Sequence, residues 1–305
     1  MTNLDRIIRD LRESLPQVTV LENEPMKAHC SFRIGGPVRA MVQPATTEEA
    51  AEVCRILRAY DEMPLIIGNG TNLLVTDGPL DRIAVQFGDK MSAIERVGED
   101  SLRAQCGVTL ARLAATAQSF GLGGMEFAHG IPGSLGGGVS MDAGAYGGEM
   151  KDVVVSTRCL TPEGELREIV GEAHDFRYRH SVFSDTDSII LDSTVKLIPG
   201  DRDEIFARMM ELREKRRSSQ PLDMPSAGST FKRPVGGYAA ALIDQAGLKG
   251  FAIGGAQVSE KHGGFVINQG GATFDDVLKL IDHIRKEVYR TSGIELETEV
   301  KIIRG

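Results

Sequence analysis

The sequence predicts an α+β protein with more than one core, and three observations support this. The first 80 residues alternate helical and strand-like apolar patterns, which is typical of α/β organisation. Residues 81–199 carry short β-like runs around a glycine-rich stretch, and residues 200–305 carry two long helical patterns before a last apolar run. Single cores stop growing at about 250–300 residues, so a chain of 305 residues has room for two or three. We place the boundaries near residues 80 and 199.

Apolar spacing predicts the individual elements. The helical pattern of Asp203–Arg217 should bury Ile205, Phe206, Met209 and Met210. We assign Thr47 as the N-cap of the second helix because two glutamates follow it. The predicted helices cover Leu4–Leu15, Thr47–Asp61, Leu110–Gly121, Asp203–Arg217 and Thr273–Tyr289. The predicted strands are Pro64–Ile67, Leu73–Val75, Ile83–Phe87, Leu102–Cys106, Val153–Leu160, Ile189–Val195 and Leu296–Ile303.

Composition and charge exclude several classes. A formal net charge of -8 argues against a nucleic-acid partner, whose binding domains are usually basic. The four cysteines are widely spaced and no paired histidines occur, so we expect no metal site. The charged N-terminus does not resemble a signal peptide, and no apolar run approaches the ~20 residues of a membrane span. We therefore expect a soluble, cytoplasmic protein, and a monomer.

The first glycine motif, Gly68-Asn-Gly-Thr-Asn72, lies between two apolar runs. Its glycines allow the backbone to approach a ligand, and successive N–H groups, with Thr71 and Asn72, can face an anion. An Asn-Gly pair between strands is also typical of a simple hairpin turn.

The second motif, Gly130–Gly148, is unusually rich in glycine, with apolar residues interleaved. This pattern favours backbone packed around a bulky flat or pyrophosphate-bearing ligand, although tight packing of the loop on itself would give the same composition. Neither motif matches the Rossmann or P-loop patterns, so a dehydrogenase of the Rossmann type and a P-loop nucleotidase are both disfavoured.

Together with other segments, these motifs resemble the UDP-N-acetylenolpyruvoylglucosamine reductase family, in the shorter (type II) of its two structural forms. The similarity runs through nearly the whole chain. The additional matching segments are Ser31–Gly36, Gly124–Phe127, Tyr178–Ser181, Pro225–Pro234, Ile253–Ser259, His262–Phe265 and Glu299–Ile303.

The resemblance implies a fold and a reaction. The fold would be a two-part FAD-binding region of the vanillyl-alcohol-oxidase (PCMH) type, in residues 1–80 and 81–199, followed by a C-terminal α+β substrate domain in residues 200–305. Non-covalent FAD would be reduced by NADPH in a ping-pong cycle. The reduced flavin would then convert UDP-N-acetylglucosamine enolpyruvate, a nucleotide-sugar, to UDP-N-acetylmuramate for peptidoglycan.

The resemblance also implies site residues. Arg179 matches the family's catalytic arginine, Ser229 its proton donor and Glu299 its catalytic glutamate, which would share charge at the substrate carboxylate or orient Arg179. Tyr178, Lys232 and Arg233 are candidates for the UDP portion. The implied FAD contacts are Gly68, Asn69, Gly70, Thr71, Asn72, Gly130, Ile131, Pro132, Gly133, Ser134, Gly137, Gly138, Ala143, Gly144 and Tyr146.

Without the resemblance the same residues have ordinary interpretations. Arg179 would form a surface ion pair, Ser229 would cap a turn, and Glu299 would be a solvated strand residue. Lys232 and Arg233 would belong to a basic turn. Alternation along Glu295–Glu299 places three glutamates on one side, and two of them should face solvent.

One position departs from the family pattern. Asp142 stands where the family usually has asparagine, which brings a charge and removes an amide donor near the flavin.

Two other functions stay open. An oxidase on the same flavin fold would use oxygen, with His129 as the candidate for covalent flavin attachment. A catalytically silent FAD or nucleotide-sugar binding module would not need Arg179, Ser229 and Glu299 together.

Overall fold

The computed structural model describes residues 2–305. In this range the α-helices are α1 (Asn3–Ser14), α2 (Thr47–Arg58), α3 (Leu110–Ser119), α4 (Leu135–Ser140), α5 (Val182–Asp185), α6 (Arg202–Ser219), α7 (Ala239–Gln245) and α8 (Phe274–Ser292). The first ten strands are β1 (Thr19–Pro25), β2 (Pro37–Gln43), β3 (Leu65–Ile67), β4 (Leu73–Val75), β5 (Leu80–Gln86), β6 (Ile94–Arg96), β7 (Ser101–Gln105), β8 (Leu122–Gly123), β9 (Gly144–Ala145) and β10 (Gly148–Glu149). They are followed by β11 (Val154–Leu160), β12 (Leu166–Val170), β13 (Ile189–Lys196), β14 (Ile198–Pro199), β15 (Ser226–Ser229), β16 (Ala252–Ile253), β17 (Ala256–Val258), β18 (Phe265–Asn268) and β19 (Lys301–Ile303). Short 3-10 helices lie at Met26–Ala28, Asp89–Met91, Glu126–Ala128, Met150–Asp152 and Gly171–His174.

The helix starts show why the periodic segments fold as predicted. Thr2 and Thr273 open α1 and α8 with capping boxes, in which the threonine hydroxyl and an aspartate satisfy backbone donors reciprocally. At α2 our assignment of Thr47 as N-cap was wrong. Thr46 has the extended backbone of an N-cap, and its hydroxyl accepts from the N–H of Glu49 at 3.1 Å.

The predicted buried face of α6 and the predicted length of the last strand also needed correction. In α6 the buried residues are Ile205, Met209 and Leu212, whereas Phe206 is half exposed, because it lies one position off that face. The last apolar run pairs as a strand only over Lys301–Ile303.

The chain divides into two compact units. The first combines the chain up to Glu22 with Arg39–Asn69 and Arg82–Lys215. It contains an antiparallel sheet in the order β12-β11-β13-β7-β6, and β3 pairs in parallel with β5. Helices α1, α2 and α3 supply buried apolar residues to one continuous core in this unit.

The second unit combines Asn23–Val38, Gly70–Asp81 and Arg216–Gly305. Its antiparallel sheet has the order β15-β18-β17-β16, and α8 contributes the largest set of buried apolar residues to its core. Strand β4 pairs in parallel with β19, with Leu74 opposite Ile302. The unit is therefore assembled from segments that are far apart in sequence, while the division at residues 80 and 199 stays a prediction.

Three further features of the described chain concern membrane spans, metal sites and cysteine chemistry. Across residues 2–305 none of the helices combines the length and apolar character of a membrane span, and no cluster of His, Cys, Asp or Glu has the arrangement of a metal site. The four cysteines are buried and free. Burial raises the pKa of Cys30 and of Cys106 to about 12, so these thiols stay protonated and unreactive.

Candidate active site

The structure brings together the starts of the two glycine motifs in the first unit. A side chain at Gly68 would place its Cβ 2.2 Å from the Oγ of Ser134, so any other residue type here would force the Ser134 hydroxyl to move. Asn69 donates through its amide to the carbonyl of Pro132 at 3.3 Å. The predicted FAD residues 68–69 and 132–134 are thus neighbours.

The second half of the first motif belongs to the second unit. Gly70 has φ of +59°, and a Cβ there would lie 1.9 Å from the carbonyl oxygen of His29. Asn72 donates through its amide to the carbonyl of Glu299 at 3.1 Å. The motif is not a hairpin, because β3 and β4 each pair in parallel with a strand of their own unit.

The segment Gly130–Gly148 is folded, and several of its glycines are explained by packing within the protein. It contains α4 and the β9–β10 pair. A Cβ at Gly138 would press on Leu110, and one at Gly148 would lie 2.5 Å from the Phe127 ring. Gly137, in contrast, has only the Ser134 hydroxyl within 4 Å, at 3.7 Å. Packing therefore explains Gly138 and Gly148, whereas contact with a ligand stays a prediction for residues such as Gly137.

The cluster fits a flavin dinucleotide in its chemistry. The backbone approach at Gly68 and Ser134 leaves hydroxyl, amide and main-chain donors as the available groups, and such donors are the ones that nucleotide phosphates use. The nearby carboxylate of Glu149 is paired with the ammonium of Lys151. Gly68, Asn69, Pro132, Gly133, Ser134 and Gly137 are therefore the candidates in this unit for holding the cofactor.

Arg179 is held against the end of the second motif. It occupies a turn closed by Arg177 and His180, and its own φ is +56°, a conformation that L-residues rarely adopt. Its guanidinium donates to the carbonyls of Asp142 and Gly144 at 3.5 and 3.4 Å. The Arg179 guanidinium is thus oriented by backbone carbonyls of the first unit, unlike a simple surface cation.

The residues around Arg179 fix this turn. Ser181 caps α5 and donates to the carbonyl of Ser140 at 2.7 Å. His180 bonds through its ring to the Asp185 carboxylate and the Asp175 carbonyl. The exposed Tyr178 ring lies 5.0 Å from the Arg179 guanidinium carbon, within the range of a cation–π contact.

Ser229 and Glu299 lie on neighbouring backbone segments of the second unit. The carbonyl of Thr230 accepts from the N–H of Glu299 at 2.9 Å, and Phe231 bridges Thr298. The pairing of β15 with β18 is irregular between Ser226 and Ser229, and Gly228 has φ of +75°. Such a bulge re-aims the residue that follows it, which here is Ser229.

The three glutamates near the C-terminus differ in exposure. Glu295 and Glu297 are exposed, whereas Glu299 is only partly accessible. The prediction that two of the three face solvent is confirmed.

The two basic candidates for the UDP portion have partners within the second unit. The Nζ of Lys232 lies 2.5 Å from a carboxylate oxygen of Glu297, and the Arg233 guanidinium carbon is 4.0 Å from the centre of the Tyr238 ring. A phosphate bound at Lys232 would compete with Glu297.

The sequence did not indicate the buried polar network behind the Arg179 turn. His174 is fully buried, and its Nδ1 and Nε2 lie 2.9 Å from the Gly171 carbonyl and 3.0 Å from the Thr157 hydroxyl. Thr157 in turn contacts the hydroxyl of Ser193 at 2.9 Å. The sequence signal for this network was one inward-facing hydroxyl on each of two strands, Thr157 and Ser193. The two hydroxyls can be recognised as a pair only once the strand register is known, because the register places Thr157 opposite Ser193.

Comparison with known proteins identifies the family. The chain is 44% identical over 294 residues to the UDP-N-acetylenolpyruvoylglucosamine reductase of Syntrophomonas wolfei, covering 96% of this chain and 98% of the relative. The chain belongs to the UDP-N-acetylenolpyruvoylglucosamine reductase family. The reductase of Clostridioides difficile is also 44% identical, over 99% of both chains.

Structure and domain comparisons agree with this family. The crystal structure of UDP-N-acetylenolpyruvylglucosamine reductase from Thermus caldophilus matches with a TM-score of 0.81 and 31% identity, covering 94% of this chain and 99% of that one. Residues 38–170 match the FAD binding domain, and residues 220–303 match the C-terminal domain of the reductase family.

Several sequence predictions are thereby confirmed. The chain is an FAD-dependent oxidoreductase of the α+β class, in which an FAD binding domain is followed by the C-terminal domain of the reductase family. The individual roles of the site residues stay predictions.

Proposed function

We propose that this enzyme catalyses the NADPH-dependent reduction of UDP-N-acetylglucosamine enolpyruvate to UDP-N-acetylmuramate, in the cytoplasm, as a step of peptidoglycan precursor synthesis. The observation that carries the proposal is the near full-length similarity to proteins named as this reductase, at 44% identity. The geometry of Arg179 and of the Ser229–Glu299 pair supports it.

The reaction needs a hydride donor, a group that binds the substrate carboxylate, and an acid that protonates the carbanion. Bound FAD, once reduced, would supply a hydride to the terminal alkene carbon. Negative charge then builds on the carbon that bears the carboxylate, so a cation and hydrogen-bond donors must stabilise it.

We assign the carboxylate anchor to Arg179. Its guanidinium is a planar fork that suits two-point contact with a carboxylate. Two backbone carbonyls accept from it at 3.4 and 3.5 Å, and these long hydrogen bonds help to orient the guanidinium.

We assign the proton donor to Ser229 and a supporting role at the same carboxylate to Glu299. The bulge at Gly228 and the hydrogen bond between Thr230 and Glu299 fix the two backbone segments relative to each other. A serine hydroxyl is a weak acid, so it would release its proton only as the carbanion forms, with Glu299 positioned beside that reacting segment.

Binding of the nucleotide diphosphate is assigned to Tyr178, Lys232 and Arg233. Lys232 and Arg233 lie three and four residues after Ser229 in the second unit, and Tyr178 is exposed beside Arg179 in the first. Cations and a phenol are suited to diphosphate oxygens. NADPH needs no Rossmann domain of its own if its nicotinamide meets the flavin in the same site.

The decisive experiment is anaerobic spectroscopy of the purified protein. Flavin absorbance should bleach with NADPH and return on addition of UDP-N-acetylglucosamine enolpyruvate, with UDP-N-acetylmuramate as product. A reduced flavin that is reoxidised by oxygen but not by this substrate would contradict the proposal and favour an oxidase. A protein that binds FAD but reacts with neither NADPH nor oxygen would favour a silent binding module.

A further inference from the structure

Asp142 carries a buried carboxyl group that the proposed reaction does not use. It follows α4, has φ of +44°, and its side chain is fully buried. Its Oδ1 accepts from the N–H of Lys151 at 2.9 Å. Its Oδ2 is buried without a hydrogen-bond partner among the described residues.

The charges around this carboxyl do not compensate an ionised form. The carboxylates of Glu149 and Asp152 belong to the same short segment, and the Lys151 ammonium is paired with Glu149. From the neighbouring turn, the Arg179 guanidinium bonds to the backbone carbonyl of Asp142 rather than to its side chain. Burial is the main cause that raises the pKa of Asp142, with Glu149 and Asp152 adding to it and the Lys151 N–H and ammonium opposing it.

We propose that Asp142 is a positioning residue for Arg179 that works in its neutral, protonated form, and that ionisation of its carboxyl loosens the hold on the guanidinium. The neutral group keeps the end of α4 folded, which aims the Asp142 and Gly144 carbonyls at Arg179. An ionised carboxylate at this place would be buried beside two like charges with one oxygen unsatisfied. It would also attract the Arg179 guanidinium away from the two carbonyls.

This inference rests on the proposed function only for its kinetic part. The protonation of Asp142 is a property of the folded protein and can be measured without substrate. Failure of the reductase assignment and failure of the inference are therefore distinguishable.

The test compares Asp142→Asn with the wild-type protein and with the control Asp152→Asn. Asparagine has the same shape, keeps an acceptor for the Lys151 N–H and cannot ionise. Asp152 is an exposed carboxylate of the same segment, so its variant removes a neighbouring charge while the buried Asp142 carboxyl can still ionise.

The first readout is the thermal midpoint as a function of pH. A carboxyl that is protonated in the folded chain and ionised in the unfolded chain loses stability as pH rises from about 3.9, the ordinary aspartate value. The midpoint of Asp142→Asn should therefore gain a few degrees on the wild type as pH rises from about 4 toward neutral. A difference that is flat or that shrinks with rising pH overturns the proposal. Asp152→Asn should not show the gain.

The second readout is the rate of flavin reoxidation by the enolpyruvyl substrate. The wild-type rate should fall by about tenfold per pH unit once Asp142 ionises, and Asp142→Asn should remove this fall while Asp152→Asn keeps it. A fall that persists unchanged in Asp142→Asn overturns the positioning role. Should Asp142→Asn not fold, a ¹³C-carboxyl titration of aspartate-labelled wild-type protein decides the matter. One carboxyl titrating well above the others supports the proposal, and none doing so overturns it.

Discussion

At the scale of single residues, four of the seven non-glycine residues with positive φ in the described chain lie near the proposed chemistry. Asp142, Tyr146, Asp175 and Arg179 are non-glycine residues with φ between +44° and +56°, and each such conformation costs about 1–2 kcal/mol. Asp142 and Tyr146 belong to the end of the glycine-rich segment, Arg179 to its own turn, and Asp175 to the end of the short helix that precedes that turn. Strain of this kind persists only where surrounding contacts fix it, and here the capping of α5 and the bonds to Ser140 do so.

Replacement of Ser229 tests the proton donor directly. Ser229→Ala should slow flavin reoxidation by the enolpyruvyl substrate by about 10²–10⁴-fold, because no acid then meets the developing carbanion. Flavin reduction by NADPH should be unchanged, since that half-reaction needs no proton from this residue. Anaerobic stopped-flow absorbance measures the two halves separately. Ser292→Ala, an exposed serine at the end of α8 in the same unit, is the control, and equal losses in both halves for Ser229→Ala would assign the serine a structural role instead.

At the scale of elements, the irregular strand β15 determines where Ser229 points. Gly228 has φ of +75°, and a Cβ there would meet nothing within 4 Å. Its glycine is therefore required by backbone conformation and not by space. Gly293 after α8 has the same properties, with φ of +71° and open space.

Substitutions at Gly228 and Gly293 distinguish the effect of backbone strain from the effect of moving Ser229. Gly228→Ala and Gly293→Ala should each destabilise the protein by about 1–2 kcal/mol through the left-handed conformation. Only Gly228→Ala should also slow reoxidation by the enolpyruvyl substrate, because relief of the strain moves Ser229. Urea unfolding gives the stabilities and stopped-flow gives the rates. Equal rates in the two variants would show that the bulge does not position the serine.

The buried network of His174, Thr157 and Ser193 holds a second group of elements together, the strands β11 and β13 and the short helix at Gly171–His174. Burial is the main cause that lowers the pKa of His174, so the ring is neutral in the folded protein and its Nε2 can accept from the Thr157 hydroxyl. This contact fixes the short helix at Gly171–His174, which leads into the Arg179 turn.

The network predicts an acid sensitivity. Because the folded pKa lies below the ordinary value of about 6.5, the unfolded chain takes up a proton first as pH falls. The stability contribution is complete above about pH 6.5 and should be lost below it at up to about 1.4 kcal/mol per pH unit. His174→Gln should be less stable near neutrality by about 1–3 kcal/mol but should lack this part of the slope. Urea unfolding between about pH 7 and 5 measures both, with His283→Gln as control. Parallel slopes for wild type and His174→Gln would contradict the argument.

At the scale of the whole molecule, local sequence patterns predicted the helices and strands but not the pairings between segments that are distant in sequence. Helices α1, α2 and α8 followed from apolar spacing and nearby capping residues, although the cap of α2 was misplaced by one threonine. The family resemblance indicated Ser229 and Glu299, but their neighbouring backbones depend on a hydrogen bond between residues 230 and 299. The parallel pairing of β4 with β19 joins segments more than 200 residues apart. Such pairings depend on packing that no local window contains.

The interleaved second unit leads to a prediction about the predicted substrate domain, residues 200–305. A fragment of these residues lacks Phe32, Ile34 and Leu74, which are buried in the core of the second unit. It also lacks Asp77, whose carboxylate accepts from the N–H of Phe274 at the start of α8 at 2.6 Å. Loss of three buried apolar side chains removes about 4.5–9 kcal/mol at about 1.5–3 kcal/mol each, which is comparable to the entire stability of a typical domain. We therefore expect the isolated fragment to show no cooperative thermal transition by circular dichroism and rapid proteolysis, whereas the full chain unfolds cooperatively. A fragment that melts cooperatively would instead support a substrate domain that begins near residue 200 and folds independently of the earlier segments.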